Sequence, residues 1–301
     1  MPAAEGTKAG LSPHVDVLLV NYRTADLTRS AADAVAGEGV HIFAWDNSGD
    51  LLLHPPPQVQ LSGDGTNTYY APANNALAER CSGEFVLLLN PDVLLSHESL
   101  QQLVGALASR PAAWGVAPRL LNPDGSDQHY LQRLPDVWAL LADRLPPLRR
   151  VLRGPYERFL ALDVDLKREQ VVEQPPAACL LVKRSRLQDG LFDPQYRLFF
   201  NDTDLARRQN LTGECWLIPS ITAVHLRGES FRREKPRTGY AVAREYDRAL
   251  LRYSRRNIPG WQLLIPVVFG RLLAAWLADK LRAWRPAPAD AEAGGDLDST
   301  P

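Results

Sequence analysis

The sequence has few cysteines and no excess of charge of either sign, and both features narrow the classes of protein to consider. The three cysteines, Cys81, Cys179 and Cys215, are widely spaced and stand among apolar residues. An odd number at such spacing excludes a fully paired disulfide framework and a clustered zinc site. The 34 basic and 35 acidic residues leave a formal net charge of -1, so no overall field favours nucleic acid. We therefore expect reduced thiols and a small or local ligand.

Long uncharged apolar runs are also scarce. Residues 1–13 contain no apolar core of the kind found in secretory signals, so we expect a cytoplasmic protein. We expect residues 1–13 and the tail 286–301 to be disordered. The stretch 261–284 is apolar but is interrupted by Pro266, Arg271 and later charges, so it is not expected to span a bilayer. Its composition favours a helix at the inner membrane surface, or one that packs on its own domain or in a homodimer.

What the sequence does contain is an alternation of apolar strands with helical segments. Strands are predicted at 15–20, 41–45, 59–61 and 85–89, and helices at 26–36, 71–81 and 96–109. This alternation favours an α/β fold with a mostly parallel sheet flanked by helices. We expect one domain over 14–235, with halves at 14–120 and 121–235, and then C-terminal helices over 236–285.

Polar residues follow several of these strands at the point where each strand ends. In the stretch EFVLLLNPDVL, Pro91 ends a buried strand and presents Asp92 just beyond it. The other polar residues at strand ends are Asp46, Asn90, the group Asn201, Asp202 and Asp204, and His225. Because ligands of open α/β sheets bind at the carboxyl ends of the strands, we expect these side chains to converge. Taken alone, Asn-Pro-Asp would also suit an ordinary Asx-type turn.

The order of these motifs resembles glycosyltransferase family 2, which has the GT-A fold, and in particular its rhamnosyltransferase-like branch. The matching segments are VDVLLVNY, WDNS, ANN, LLLNPDV, NPDGS, GLFDPQYRLFFNDTDLARR and HLRGES, which together cover about residues 14–230. The resemblance implies a nucleotide-sugar half at 14–120 and an acceptor half at 121–235. It also implies an inverting transfer of a sugar from a nucleotide diphosphate sugar to a hydroxyl of a glycan, glycolipid or other acceptor.

The resemblance implies roles for the residues of the donor side. Asp92 matches the second carboxylate of the family's metal-binding DxD motif and His225 matches its later metal-side histidine, so Mg²⁺ or Mn²⁺ is the expected cofactor. Asn90 replaces the first carboxylate, and we expect it to contact ribose or phosphate. Asp46 matches the family's base-recognition aspartate, although a turn role is the alternative. Asn75 matches an asparagine that lines the nucleotide pocket.

On the acceptor side, Asp202 matches the family's general base, and Asn201 replaces the glutamate that usually precedes it. Asp204 is either an acceptor-side residue or the cap of the following helix. Arg133 resembles a basic residue of the acceptor segment. The branch implies thymidine diphosphate (dTDP) rhamnose as the donor, with a uridine diphosphate (UDP) sugar as the alternative. The acceptor is expected to be a glycan or a lipid-linked molecule.

Two other functions are compatible with parts of the sequence. A sugar-phosphate nucleotidyltransferase would need a glycine-rich, basic phosphate loop after its first strand, and NYRTADL lacks one. An inactive relative that acts as a binding or scaffolding subunit is suggested by Asn90 and Asn201, where acids are replaced. The histidines other than His225, including His14 and His41, match no motif, and we expect structural or surface roles for them.

Overall fold

The structure is a computed structural model that describes residues 14–226 and 239–284. The predicted disordered ends and the last four residues of HLRGES lie outside the described residues. The first half of the sheet is parallel, with the strands in the spatial order β3-β2-β1-β4. These strands are β1 (Val15–Asn21), β2 (Val40–Asp46), β3 (Val59–Ser62) and β4 (Phe85–Leu89). The parallel arrangement predicted for this half is confirmed.

The second half of the sheet is mixed. It contains β5 (Val93–Leu94), β6 (Ala113–Leu121), β7 (Gln170–Val172), β8 (Cys179–Lys183) and β9 (Glu214–His225). Strand β8 runs antiparallel between β4 and β6, β6 is parallel to β9, and β5 and β7 are antiparallel to β9. The prediction of a mostly parallel sheet is therefore wrong for this half, because β8 is inserted from a later part of the chain rather than added through a helical crossover.

Helices cover both faces of the sheet, as the alternating pattern predicts. They are α1 (Ala25–Val35), α2 (Tyr70–Ala78), α3 (His97–Ala108), α4 (Val137–Arg144), α5 (Arg153–Phe159) and α6 (Asn201–Gln209). Residues of α1 and α3 share one core layer with the odd-numbered residues of β1, and residues of α2 and α6 share the other with Leu18. The cysteines are free, as expected, and Cys179 and Cys215 are buried.

Two C-terminal helices, α7 (Gly239–Asn257) and α8 (Leu264–Trp284), pack against the second half of the domain. They share an apolar cluster with α4 and with the segment that precedes α6. Its members include Leu140, Tyr196, Phe200, Tyr253 and Leu264, all of them buried. The C-terminal helices therefore support the part of the chain that leads into α6.

Most of helix α8 belongs to a stretch, Trp261–Leu281, that is long and apolar enough to cross a membrane by length and composition. Its charges alone do not exclude a span, because Arg271 is the one charged residue between 261 and 278. The next charges, Asp279 and Lys280, lie near the end of the stretch.

The distribution of apolar and charged side chains around α8 is the reverse of that on an ordinary surface helix. Arg271 turns towards the protein, where its Nη1 donates to the carbonyl oxygen of Arg144 at 3.3 Å, and Asp279 accepts from the backbone nitrogen of Tyr240 at 3.0 Å. The outward side is apolar and exposed, and it includes Ile265, Phe269, Leu273, Trp276 and Leu281. An apolar stripe therefore faces away from the protein, and charged groups of the same helix face it.

Candidate functional site

Asp92 and His225 are brought together by the pairing of β5 with β9, in which Val93 stands opposite His225. The Asp92 side chain is buried, and its Oδ1 lies 3.5 Å from Nε2 of His225. The backbone is fixed here as well, because the nitrogen of Leu226 donates to the carbonyl oxygen of Asp92 at 2.8 Å. The two residues predicted to bind the metal therefore face one another.

The orientation of the His225 ring is set by Gln128. Nε2 of Gln128 donates to Oδ1 of Asn122 at 2.9 Å and to the carbonyl oxygen of His225 at 3.2 Å. Its Oε1 lies 2.7 Å from Nδ1 of His225, so that ring nitrogen carries the donated hydrogen. In the neutral ring, Nε2 then presents its lone pair towards Asp92.

This pair of side chains fits a divalent cation. A carboxylate oxygen and an imidazole nitrogen face one another, and the second ring nitrogen is held by a hydrogen-bond acceptor, as is usual for metal-bound histidines. The mixed oxygen and nitrogen set suits Mn²⁺ better than Mg²⁺, which prefers oxygen ligands. Asn90 is held nearby through its backbone nitrogen, which donates to Ala178 at 2.8 Å. Within the described residues its side chain makes no hydrogen bond.

Asp202 stands in the first turn of α6, behind a strained residue. Phe200 precedes the helix with φ 64°, in the left-handed region that bulky residues avoid. Oδ1 of Asn201 accepts from the Asp202 backbone nitrogen at 2.7 Å, and Oδ1 of Asp202 accepts from that of Thr203 at 2.8 Å. Oδ2 of Asp202 has no hydrogen-bond partner among the described residues. The carboxylate therefore has one anchored oxygen and one available oxygen.

Burial raises the pKa of Asp202 above its ordinary value, and the hydrogen bonds from Thr203 offset this only in part. Rings of α7 pack on the residues that lead into the helix. Phe199 and Phe200 lie 5.1 and 5.4 Å from Tyr246, and Phe200 lies 5.3 Å from Tyr253, between ring centroids. The aromatic packing holds the strained turn and so fixes the position of the carboxylate.

Tyr70, the first residue of α2, links the two parts of the site. Burial raises its pKa, and the negative charges of Asp202 and Asp92 raise it further, so both carboxylates act on one phenol. Its hydroxyl donates to the carbonyl oxygen of Ala177 at 2.9 Å. Both carboxylates therefore lie near enough to Tyr70 to act on it, and their membership of one catalytic site stays a prediction.

Asp46 is placed differently from its predicted role. The side chain is fully buried, and its two oxygens accept from Asn21 and from four backbone nitrogens of the following turn, at 2.9–3.0 Å. Burial opposes ionisation, but the hydrogen bonds from Asn21 and the turn outweigh it and lower the pKa of Asp46. A carboxylate has about four acceptor positions. Asp46 therefore organises the turn, and no position is left for the predicted contact with a nucleotide base.

The side chain of Asn75 makes two hydrogen bonds to the backbone of the loop before α6. Its Nδ2 donates to the carbonyl oxygen of Phe192 at 2.8 Å, and its Oδ1 accepts from the Phe192 backbone nitrogen at 2.9 Å. These bonds occupy the end of the side chain. The residue connects α2 to the acceptor half, and lining of the nucleotide pocket by Asn75 stays a prediction.

Asp204 and Arg133 are held by ion pairs. Helix α6 begins at Asn201, so the prediction that Asp204 caps it is wrong; Oδ2 of Asp204 instead accepts from Nε of Arg208 at 2.9 Å. Arg133 donates to Asp163 at 2.5 and 2.8 Å and lies 3.6 Å from Glu173. Acceptor contacts by Arg133 and Asp204 stay predictions.

Two residues of the site are not singled out by the sequence. Gln128 lies in an irregular segment and acts on a histidine 97 positions away, so nothing local signals it. Tyr70 precedes the predicted start of α2, and only the folded chain places it near Asp92 and Asp202.

No family model matches the chain. In sequence, it is 26% identical over 242 residues to the N-acetylglucosaminyl-diphospho-decaprenol L-rhamnosyltransferase of Mycobacterium tuberculosis, covering 74% of this chain and 75% of that protein. It is also 27% identical over 202 residues to the O-antigen biosynthesis protein RfbC of Myxococcus xanthus, covering 67% of this chain and 14% of that protein.

In structure, the chain is similar to the mannosyltransferase PcManGT from Pyrobaculum calidifontis, solved in complex with GDP-Man and Mn²⁺. The TM-score is 0.52 at 16% identity, with 97% of this chain and 81% of that chain covered. A mycobacterial protein gives a TM-score of 0.52 at 13% identity, with 84% and 77% covered. The GT-A fold predicted from the motifs is confirmed. The chain is thus similar in sequence to a rhamnosyltransferase, and it shares the GT-A fold of glycosyltransferases.

Proposed function

We propose that the chain is an inverting, metal-dependent rhamnosyltransferase that moves rhamnose from dTDP-rhamnose to a hydroxyl of a lipid-linked glycan. The observation that carries the proposal is the placement of Asp202 and of the Asp92–His225 pair around Tyr70. Transfer needs a base for the acceptor hydroxyl and a cation for the departing diphosphate. The site offers a candidate for each, and the mycobacterial relative is named a rhamnosyltransferase with a diphospho-decaprenol acceptor.

Asp202 would act as the base through its available oxygen, Oδ2. The acceptor hydroxyl attacks the anomeric carbon from the face opposite the diphosphate, so the new C–O bond forms as the bond to the leaving phosphate oxygen breaks. The hydroxyl proton passes to Asp202. Burial raises the pKa of this carboxylate, which makes it a stronger proton acceptor than an exposed aspartate.

Asp92 and His225 would hold Mn²⁺ or Mg²⁺. When bound, the cation neutralises the charge that develops on the departing diphosphate. In the neutral ring Gln128 places the hydrogen on Nδ1 of His225 and leaves Nε2 for the cation, and the Asn90 side chain is available for the ribose or a phosphate. The replacement of two acids by Asn90 and Asn201 does not remove this machinery, because the Asn201 side chain supports the backbone of Asp202. A catalytic role is therefore favoured over a scaffolding role.

The acceptor proposal also uses the inverted polarity of α8. Its exposed side carries Phe269, Trp276 and Leu281, whereas Arg271 and Asp279 bind the protein. An apolar side with an interfacial tryptophan suits burial in the headgroup region of a membrane. The opposite side of the helix packs in the same cluster as Phe200, next to the base. The helix would thus hold the site at the inner face of the membrane that carries the acceptor.

The test is transfer by the purified chain from dTDP-rhamnose to a diphospho-polyprenol carrying N-acetylglucosamine in detergent micelles, with UDP-glucose and GDP-mannose as donor controls. We expect a rhamnosylated lipid and released dTDP that both depend on Mn²⁺ or Mg²⁺. Equal turnover of UDP-glucose would replace the rhamnose assignment. Absence of transfer and of donor hydrolysis with every donor would contradict the enzyme proposal.

A further inference from the structure

Three potential metal ligands meet at the edge of the sheet opposite the proposed catalytic site. His14 precedes β1, Asp16 is the second residue of β1, and His41 pairs directly with Asp16 in the register of β1 with β2. Nε2 of His14 lies 2.7 Å from both ring nitrogens of His41. Nδ1 of His41 lies 3.4 Å from Oδ1 of Asp16. One ligand atom from each residue therefore lies within 4.8 Å of the others.

Asp16 has one anchored and one unsatisfied oxygen. Its side chain is fully buried, and Oδ2 accepts from the backbone nitrogens of Ser82 and Gly83, both at 2.7 Å. Oδ1 is buried and has no hydrogen-bond partner among the described residues. A buried carboxylate oxygen left in this way is costly. It faces the imidazole of His41, so a cation placed between them would satisfy it.

The backbone around Asp16 is built closely to keep this orientation. A side chain at Gly83 would place its Cβ 2.7 Å from the carbonyl oxygen of His14 and 3.1 Å from the Asp16 carboxylate. The first distance is shorter than real Cβ contacts allow, and the second is tighter than most of them. The glycine therefore lets two amides bind Oδ2, which leaves Oδ1 directed at the histidines. Fixed hydrogen bonds to the second atom of a ligand are a usual feature of metal sites.

We propose that His14, Asp16 and His41 form a second metal site, which takes a zinc-class divalent cation. Two imidazoles and one carboxylate are a ligand set for Zn²⁺, whereas Mg²⁺ and Ca²⁺ prefer oxygen ligands. Ligands of a tetrahedral zinc ion lie about 3.3–3.4 Å apart, because each bond is about 2.0–2.1 Å long. The separation of His41 from Asp16 already has this value, at 3.4 Å.

The two histidines must separate by about 0.6 Å to reach that spacing from 2.7 Å. The His41 side chain is 44% exposed and His14 lies outside the strand, so both rings can rotate. Their exposure also lets water complete the coordination.

The cation would act on the fold rather than on the reaction. Asp16 and Asn21 are five residues apart on β1, which is about 17 Å at about 3.3 Å per residue. A cation at this edge would connect the residue before β1 to the start of β2. Because the unfolded chain does not hold the three ligands together, binding would stabilise the folded state.

The test separates this site from the proposed catalytic one by using an Asp92→Ala chain without an affinity tag. The stripped protein is titrated with Zn²⁺ by calorimetry, bound zinc is counted by elemental analysis, and the melting temperature is measured with and without zinc. We expect about one zinc per chain and a rise in melting temperature. Adding His41→Asn should weaken binding at least about 100-fold, because loss of an outer contact alone typically costs 10–100-fold.

His54→Asn in the same background is the matched control, since His54 is exposed and outside the cluster. It should bind zinc as the Asp92→Ala chain does. If His41→Asn does not fold by circular dichroism, His14→Asn makes the same comparison. Failure of the Asp92→Ala chain to bind zinc, or equal affinity after loss of His41 or His14, overturns the site. That result would not bear on the proposed glycosyl transfer. The transfer rate is measured separately, on the single His41→Asn variant that keeps Asp92.

Discussion

Replacing Asp202 by asparagine should separate catalysis from stability. The substitution keeps the size of the side chain and the acceptor for the Thr203 backbone nitrogen, which bonds Oδ1 at 2.8 Å. It removes only the capacity to take a proton. Because a positioned base contributes about 10²–10⁴ in rate, turnover should fall by about 100-fold or more. Donor affinity should stay nearly unchanged, since the lost interaction belongs to the transition state.

The same substitution should stabilise the fold at neutral pH. Burial raises the pKa of Asp202 in the folded chain, so ionisation costs free energy there that it does not cost in the unfolded chain. That cost is absent at a pH below the unfolded pKa and is complete above the raised, folded pKa. Each pKa unit corresponds to about 1.4 kcal/mol. Asp202→Asn should therefore melt at a higher temperature than the parent at pH 7, and the difference should vanish near pH 3.

The pH dependence of the parent enzyme gives an independent readout. The base works only when ionised, so kcat/KM should fall on the acid side at a pH above the usual range of an exposed aspartate. The assay is initial transfer rate from pH 4 to 9 with saturating acceptor, together with calorimetric donor binding and thermal melting for each variant.

Asp204→Asn is the matched control, because Asp204 stands two residues after Asp202 in the same helix. Asp204 is buried and bonded to Arg208 at 2.9 Å, so its loss should destabilise the chain by about 1 kcal/mol. Transfer by the folded protein should remain. The reasoning is refuted if Asp204→Asn abolishes transfer while Asp202→Asn does not, or if Asp202→Asn lowers the melting temperature at pH 7.

Three further predictions concern the cation and the membrane. Chelation should abolish turnover, and Asp92→Ala should lose metal-dependent transfer, as measured by Mn²⁺ titration of the rate. Gln128→Leu should weaken the apparent Mn²⁺ affinity about 10–100-fold, because Nδ1 of His225 loses its acceptor. Phe269→Glu should lower co-sedimentation with anionic liposomes by about tenfold or more, because burial of one large apolar side chain contributes about 1.5–3 kcal/mol.

Each of these three predictions would be contradicted by a specific experimental result. Near-normal activity of Asp92→Ala would remove the assignment of the NPD motif. An unchanged Mn²⁺ dependence in Gln128→Leu would mean that His225 is not a ligand. Leu211→Glu is the control for the membrane, since Leu211 is 82% exposed and lies two residues past the end of α6. Equal loss in both variants would show a charge effect rather than a binding face. Truncation after Ile258 is a poorer test, because it also removes the buried Leu264.

The parallel half of the fold could be predicted because each of its strands is a compact apolar run followed by a helical pattern. The mixed half could not, since β5 and β7 have only two and three residues and carry no measurable period. Strand β4 pairs with β8, and nothing in the local sequence of β4 specifies a partner so far along the chain.

Site residues could be predicted where they belong to a sequence motif. They could not be predicted where their role depends on a contact formed only in the folded chain. Asp92 and His225 face one another, as the motif order indicates, and Asp202 acts with Asp92 on Tyr70. The turn around Asp46 uses that carboxylate completely, which depends on backbone amides that composition does not reveal. The sequence indicates the cluster of His14, Asp16 and His41 only weakly. His14 and Asp16 are two residues apart and so project to the same side, but only the pairing of β1 with β2 brings His41 beside Asp16.

The pairing of β5 with β9 also has a consequence for the order of folding. Asp92 leaves the ribosome early, whereas its partner His225 ends the last strand of the sheet. The parallel half can form from contacts made in chain order, but the closure of β5 on β9 is a contact of long sequence separation, and such contacts form late. A nascent or prematurely ended chain would therefore lack the paired Asp92 and His225, so the proposed cation site would form only after residue 225 has been synthesised.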